Sequence, residues 1–142
     1  MAETVAHRLV RPISIARHPI YTMFLPVAVV CFVGALITDL AYARSGGTLE
    51  WLNLSNWLIA TGLAFGAISA VLLLIDTIRG VWGWAPFGLL VVVWVVEFVN
   101  SLVHSRDGWT AVVPLGLILS MVGAALILVV GWLSRRVVES AR

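Results

Sequence analysis

Long apolar stretches alternate with short polar ones along this chain of 142 residues. Four stretches, Ile20 to Ala41, Trp57 to Ile75, Trp84 to Val103 and Val112 to Leu133, approach the roughly 20 residues needed to cross about 30 Å of hydrocarbon. Hydrocarbon offers backbone groups no hydrogen-bond partner. The stretches are also too long and too uniformly apolar for the alternating strands of a membrane barrel. The pattern predicts an all-α fold, an integral membrane bundle of four transmembrane helices over residues 20–134. A segment 1–19 precedes it and a tail 135–142 follows. Pro26 predicts a kink in the first helix, while Pro114 falls in the first turn of the fourth, where its missing N–H costs little.

Composition agrees, since 61% of residues are hydrophobic and only 11% charged, too few to cover a soluble domain. The expected partner is the lipid bilayer, with a homo-oligomer or a larger membrane complex beyond it, and no nucleic acid. Cys31 is the single cysteine and lies in an apolar stretch, so neither a disulfide nor a cysteine metal site forms within one chain.

The arginines give orientation. All nine basic residues are arginine, and an even number of spans puts both termini on one side. That side collects Arg8, Arg11, Arg17, Arg79, Arg135, Arg136 and Arg142; the other holds Arg44 and Arg106. The positive-inside tendency makes the termini and the short second loop cytoplasmic. Tyr21, Trp82, Trp84 and Trp132 then mark the inner ends, Tyr42, Trp51, Trp57 and Trp109 the outer ends, and Trp94 alone is mid-span. The "AYA" at Ala41 to Ala43 resembles a signal-peptide cleavage site, but the preceding apolar stretch exceeds a signal core, so the first helix reads as a permanent span. The segment before it mixes Leu9, Val10, Ile13 and Ile15 with arginines, which suits either an interfacial strip or a plain basic tail.

Lipid tails are as apolar as leucine, so helices associate through close contact at small residues. At four-residue spacing the second helix offers Gly62, Gly66 and Ala70, the fourth Gly116, Ser120 and Ala124, and the first Gly34 and Thr38. The third is crowded with valine, so its packing is expected to come from polar residues.

Those polar residues are the exceptions that matter. Glu97, Asn100, Ser101 and His104 share one face of the third helix, and an ionised group deep in a span costs on the order of 2.5 to 3.5 kcal/mol. Glu97 is therefore either protonated or turned toward partners. With Asp39 and Arg106 at a comparable level, an outer-leaflet polar cluster is expected. In its structural form Glu97 and Asn100 bond a neighbouring helix, Asp39 pairs with Arg44 or Arg106, and His104 faces water. In its functional form Glu97 titrates and His104 links it to the exterior. A second cluster, His18 with Asp76 and Arg79, is expected at the inner end as a helix-end clamp or a ligand site.

The stretch "HPIYTMFLPVAVVCFVGALITDL" from His18, the glycine-to-aspartate run ending at Asp76, Asn100, and "PLGLILS" from Pro114 leading to Gly131–Trp132 resemble the bacterial membrane family catalogued as domain of unknown function 2231. The resemblance implies a four-helix inner-membrane protein, in some members joined to redox domains. The chain departs from the family pattern where Pro86, Phe87 and Gly88 replace an early third-helix histidine, and in its "GWLSRRVV" ending, both of which count against a redox role.

Three functions follow as expectations. The first is a non-enzymatic module or accessory subunit of a membrane assembly. The second is a b-type haem or electron-transfer subunit using His18. His18 and His104 stand about 30 Å apart across the bilayer, so they cannot ligate one haem within a protomer. The third is proton-linked binding or transport at the Glu97 cluster, although only Pro26 hints at a broken helix. No nucleophile–base set, phosphate loop, nucleotide fingerprint or catalytic carboxylate pair is present in the sequence, and enzymatic activity is not expected.

Overall fold

Two tight turns set the order of the chain. A computed structural model describes residues 20–106 and 112–140, with side chains through Ser134. It contains α1 (Tyr21–Arg44), α2 (Leu49–Ile78), α3 (Trp84–His104) and α4 (Leu115–Ser140). All four are long and apolar enough to cross a membrane. At the end of α2 the Gly80 N–H bonds the Thr77 carbonyl and the Val81 N–H bonds the Asp76 carbonyl, the paired bonds of a Schellman motif. The motif requires a left-handed residue, and Gly80 supplies it at φ 73°. Gly46 does the same after α1 at φ 75°, where Gly47 N–H reaches back to the Tyr42 carbonyl.

The second helix corrects the expected start at Trp57, because it begins at Leu49. The added turns, "LEWLNLSN", are too polar to register as apolar, yet they continue the helix and place Ser55 inside the bundle. α1 runs on through Pro26, and α4 begins one residue after Pro114.

Interior positions recur at alternating steps of three and four. In α1 they are Tyr21, Leu25, Ala28, Phe32, Ala35, Asp39 and Tyr42; in α2, Leu52, Ser55, Ile59, Gly62, Gly66, Ser69 and Leu73. In α3 they are Leu90, Val93, Glu97, Asn100 and His104, and in α4 Gly116, Ser120, Gly123, Ile127, Val130 and Ser134. This 3–4 seam is the spacing of left-handed bundles, in which helices cross at roughly 20°. Each helix packs on its chain neighbours, and α4 closes the ring on α1. Contacts run antiparallel: Gly34 faces Leu58 and Gly66 faces Ala28 across α1 and α2, while Val29 faces Gly131 across α1 and α4.

The small residues named from sequence sit inside the chain rather than on an outer face, and the seam refines their pattern. Gly62 gives its space to the Phe32 ring, where a methyl group would lie 2.5 Å from a ring carbon. Gly116, Ser120 and Ala124 are buried, but the row continues through Gly123, not only Ala124; likewise Ser69 lies on the seam while Ala70 packs beside it, half-buried. Gly34 is half-buried and Thr38 turns its hydroxyl back onto the Ala35 carbonyl at 2.8 Å. Outside the seam, Met23, Val30 and Ile37 stand seven residues apart on α1 and are 61–74% exposed, a surface suited to acyl chains and not to water.

Candidate functional site

Six polar side chains from all four helices meet at the end of the bundle where α1 and α3 finish and α2 and α4 begin. Asp39 is the hub. Its Oδ1 accepts a hydrogen bond from Ser55 Oγ of α2 at 2.6 Å and faces Nε2 of His104 of α3 at 3.0 Å. Its Oδ2 accepts from Ser120 Oγ of α4. Ser120 in turn accepts from Asn100 Nδ2 at 2.8 Å, and the second hydrogen of that amide goes to Glu97 Oε2 at 3.1 Å. His104 is held from its other side, with Nδ1 3.0 Å from the Asn100 carbonyl. Asp39, Ser55, Glu97, Asn100 and Ser120 are fully buried and His104 is 1% exposed.

Local sequence explains why these side chains can converge. All six occupy seam positions, so the 3–4 spacing that buries leucine elsewhere buries them here. The seam of α4 is small at this level, with Gly116, Ser120 and Gly123, and leaves room for the large side chains of α3. Glu97 lies flat against Gly123: a methyl group added there would overlap Oε1 of the carboxyl group.

Hydrogen-bond bookkeeping fixes the proton count at the histidine. A backbone carbonyl only accepts, so Nδ1 carries a hydrogen. The short line from Nε2 to Asp39 Oδ1 also needs a proton, on one atom or the other. The pair is thus imidazolium with carboxylate or imidazole with carboxylic acid, and its net charge is zero either way. Both ring nitrogens are engaged, so His104 offers no lone pair to an incoming metal or haem in this arrangement. Among the described residues no group of three or more His, Cys, Asp or Glu side chains is placed to hold a metal ion.

Several expectations are corrected here. His104 does not face water; its ring is buried between Asp39 of α1, Ser55 of α2 and the Asn100 carbonyl. Asp39 pairs with neither Arg44 nor Arg106, which are exposed, because His104 and the two serines already fill its oxygens. Arg106 therefore lies outside the cluster, as does Ser101, which is half-buried at the side of the seam. Asn100 does bond a neighbouring helix, whereas Glu97 accepts its hydrogen bond from Asn100 on its own helix. Ser55, Ser120 as an Asp39 ligand, and Gly123 were not singled out as site residues. They lie on α2 and α4, where no count along α1 from Asp39 or along α3 from Glu97 reaches them.

The inner-end cluster falls only in part within the described residues. His18 lies outside the described residues, Asp76 is half-buried, and Arg79 is exposed as the C-cap of α2. Tyr21 and Trp82 meet edge to face there at 5.8 Å. Mid-span, Trp94 stacks on Phe98 and donates its indole N–H to the Leu63 carbonyl at 3.1 Å, joining α3 to α2.

The match that decides the family covers residues 17–142, every helix of the bundle and all of the Asp39 cluster. The chain belongs to the DUF2231 family. Its members are described as predicted membrane proteins, which agrees with four helices long and apolar enough to span a bilayer. No curated protein and no solved structure matches this DUF2231 chain.

Proposed function

We propose that this chain is a non-enzymatic module or accessory subunit of a bacterial inner-membrane assembly, in which the Asp39 cluster pins four helices into one register. One observation carries the proposal: a single carboxyl group on α1 is bonded by side chains from α2, α3 and α4 at once. In lipid no hydrophobic force selects one helix rotation over another, whereas a directional polar hub does. Such a hub gives a small protein a defined outer face, including the exposed Met23, Val30 and Ile37 stripe, to present to lipid or to a second subunit.

Both termini are placed in the cytoplasm on the strength of seven arginines on that side against two on the other. The domain division follows: segment 1–19 and tail 135–142 at the inner surface, with residues 20–134 in the bilayer. Reporter fusions at the two termini and in the Ser45–Thr48 turn check it, with cytoplasmic activity expected only at the termini.

The decisive measurement for the pin is Asp39→Leu in detergent or nanodiscs. The variant is expected to insert and stay helical while amide protection collapses across all four helices. Protection equal to that of the native chain would defeat the proposal. The haem alternative keeps only His18, because His104 is committed to Asp39 and Asn100. A visible absorption spectrum separates the two, and a strong haem band would favour the cytochrome.

A further inference from the structure

Charge and hydrogen-bond capacity fail to balance at one place in the cluster. The Asp39–His104 pair is neutral in both of its proton arrangements, so it contributes nothing toward the charge of Glu97. Glu97 is fully buried and its Oε1 has no hydrogen-bond partner among the described residues; Asn100, also fully buried, leaves its Oδ1 in the same state. The orientation of the Asn100 amide is not arbitrary. Reversing it would set its oxygen against the Glu97 carboxyl group and against Ser120, whose hydroxyl hydrogen is already given to Asp39. Two unpartnered acceptors therefore belong to one side-chain pair.

Among the described residues, the groups facing Glu97 from other elements supply no positive charge. They are Asp39 of α1, with Ser55 of α2 behind it, and Ser120 and Gly123 of α4. Arg44 and Arg106, the arginines at this end of the bundle, are exposed. A buried carboxylate without a counter-charge is strongly disfavoured in lipid. The compensating charge has to be single, since a divalent ion would leave a buried positive excess in its turn.

We propose that Glu97 and Asn100 form a binding site for one monovalent cation, either a proton carried on Glu97 Oε1 or a sodium ion held by Glu97 Oε1 and Asn100 Oδ1. A proton would convert one of the two orphan acceptors into a donor; a sodium ion would give both a ligand role. Gly123 is part of the site because its missing side chain is what lets the carboxyl group lie there. The proposal stands apart from the Asp39 pin, which holds its helices whether or not Glu97 is occupied.

The test uses the full chain in nanodiscs, with Glu97→Gln as the partner variant, since Gln is neutral and keeps an oxygen for the Asn100 amide. Infrared spectra read the proton: a protonated-carboxyl band present in the native chain and missing from Glu97→Gln assigns it. Thermal unfolding read at constant ionic strength, with sodium exchanged for potassium or choline, reads the ion: a saturable rise in Tm specific to sodium and absent from Glu97→Gln assigns that. If Glu97→Gln does not fold, carbon-13 labelling of glutamate in the native chain identifies the band. Asn100→Ala, which removes one ligand only, then tests the sodium response. Either positive result supports the site. A native chain with no such band and no sodium response, or with both unchanged in Glu97→Gln, would overturn it while leaving the pin intact.

Discussion

At the Tyr21 end of the seam, Leu25, Leu73, Leu90, Ile127 and Val130 close on one another around the Tyr21 ring. At the other end the equivalent seam positions hold Asp39, Ser55, Asn100, His104 and Ser120. Backbone and spacing are the same, but the forces differ. Apolar side chains meeting inside a bilayer exchange lipid contacts for protein contacts, so their gain is dispersion and fit. Polar side chains in the same place have no such substitute in hydrocarbon and must find one another. The apolar half can slide or rotate at small cost; the polar half permits one register. The apolar half also leaves Trp82 Nε1 without a hydrogen-bond partner among the described residues and sets the Tyr21 and Ser134 hydroxyls beside each other in poor bonding geometry, while the polar half leaves Glu97 Oε1 and Asn100 Oδ1.

The contrast is broken most severely at His104. His104→Phe strands Asp39 as a buried acid with no base beside it, and a loss of about 3–5 kcal/mol in unfolding free energy is expected, read by reversible denaturation in mixed micelles. A loss below about 1 kcal/mol would mean that the two halves are energetically alike. Next comes the apolar half. Gly62→Ala drives a methyl group into the Phe32 ring, and overpacking of this kind costs about 1–3 kcal/mol; Gly62→Ala combined with Phe32→Leu should recover most of it. Ser55→Ala removes one of the hydroxyl donors to Asp39. Interhelical hydrogen bonds in membranes average about 0.6 kcal/mol, so the same denaturation assay should show a loss near that size, well under the His104 effect. The smallest effect belongs to Tyr21→Phe. It deletes a hydroxyl set beside Ser134 in poor bonding geometry, and stability should change by no more than about 0.5 kcal/mol. A clear loss there would show that the Tyr21 and Ser134 hydroxyls bond each other firmly.

Spacing and composition were enough to locate the helices, because a bilayer imposes length and apolarity on every crossing segment. The start of α2 escaped, since polar "LEWLNLSN" continues a helix whose apolar residues lie beyond it, and so did the end of α4, which runs past Leu133 to Ser140. The polar face of α3 was equally legible, as Glu97, Asn100 and His104 stand out from valine. What they bond to was not legible. In soluble proteins an amphipathic stripe shows which face turns inward, but α1 and α2 are apolar all round, so the faces carrying Asp39 and Ser55 had no contrast to mark them. Pairing Asp39 with an arginine followed charge alone, and charge alone does not say which partner can reach.

By itself, then, the amino-acid order determined that four helices are long and apolar enough to cross a bilayer and that a few ionisable groups must hide from it, because those follow from local transfer energies along the chain. The choice of His104, Ser55 and Ser120 as partners for Asp39, and the pressing of Glu97 against Gly123, depended on how four rods are rotated about their axes. That rotation is a joint property of all the seams at once, and it exists only when they are packed together.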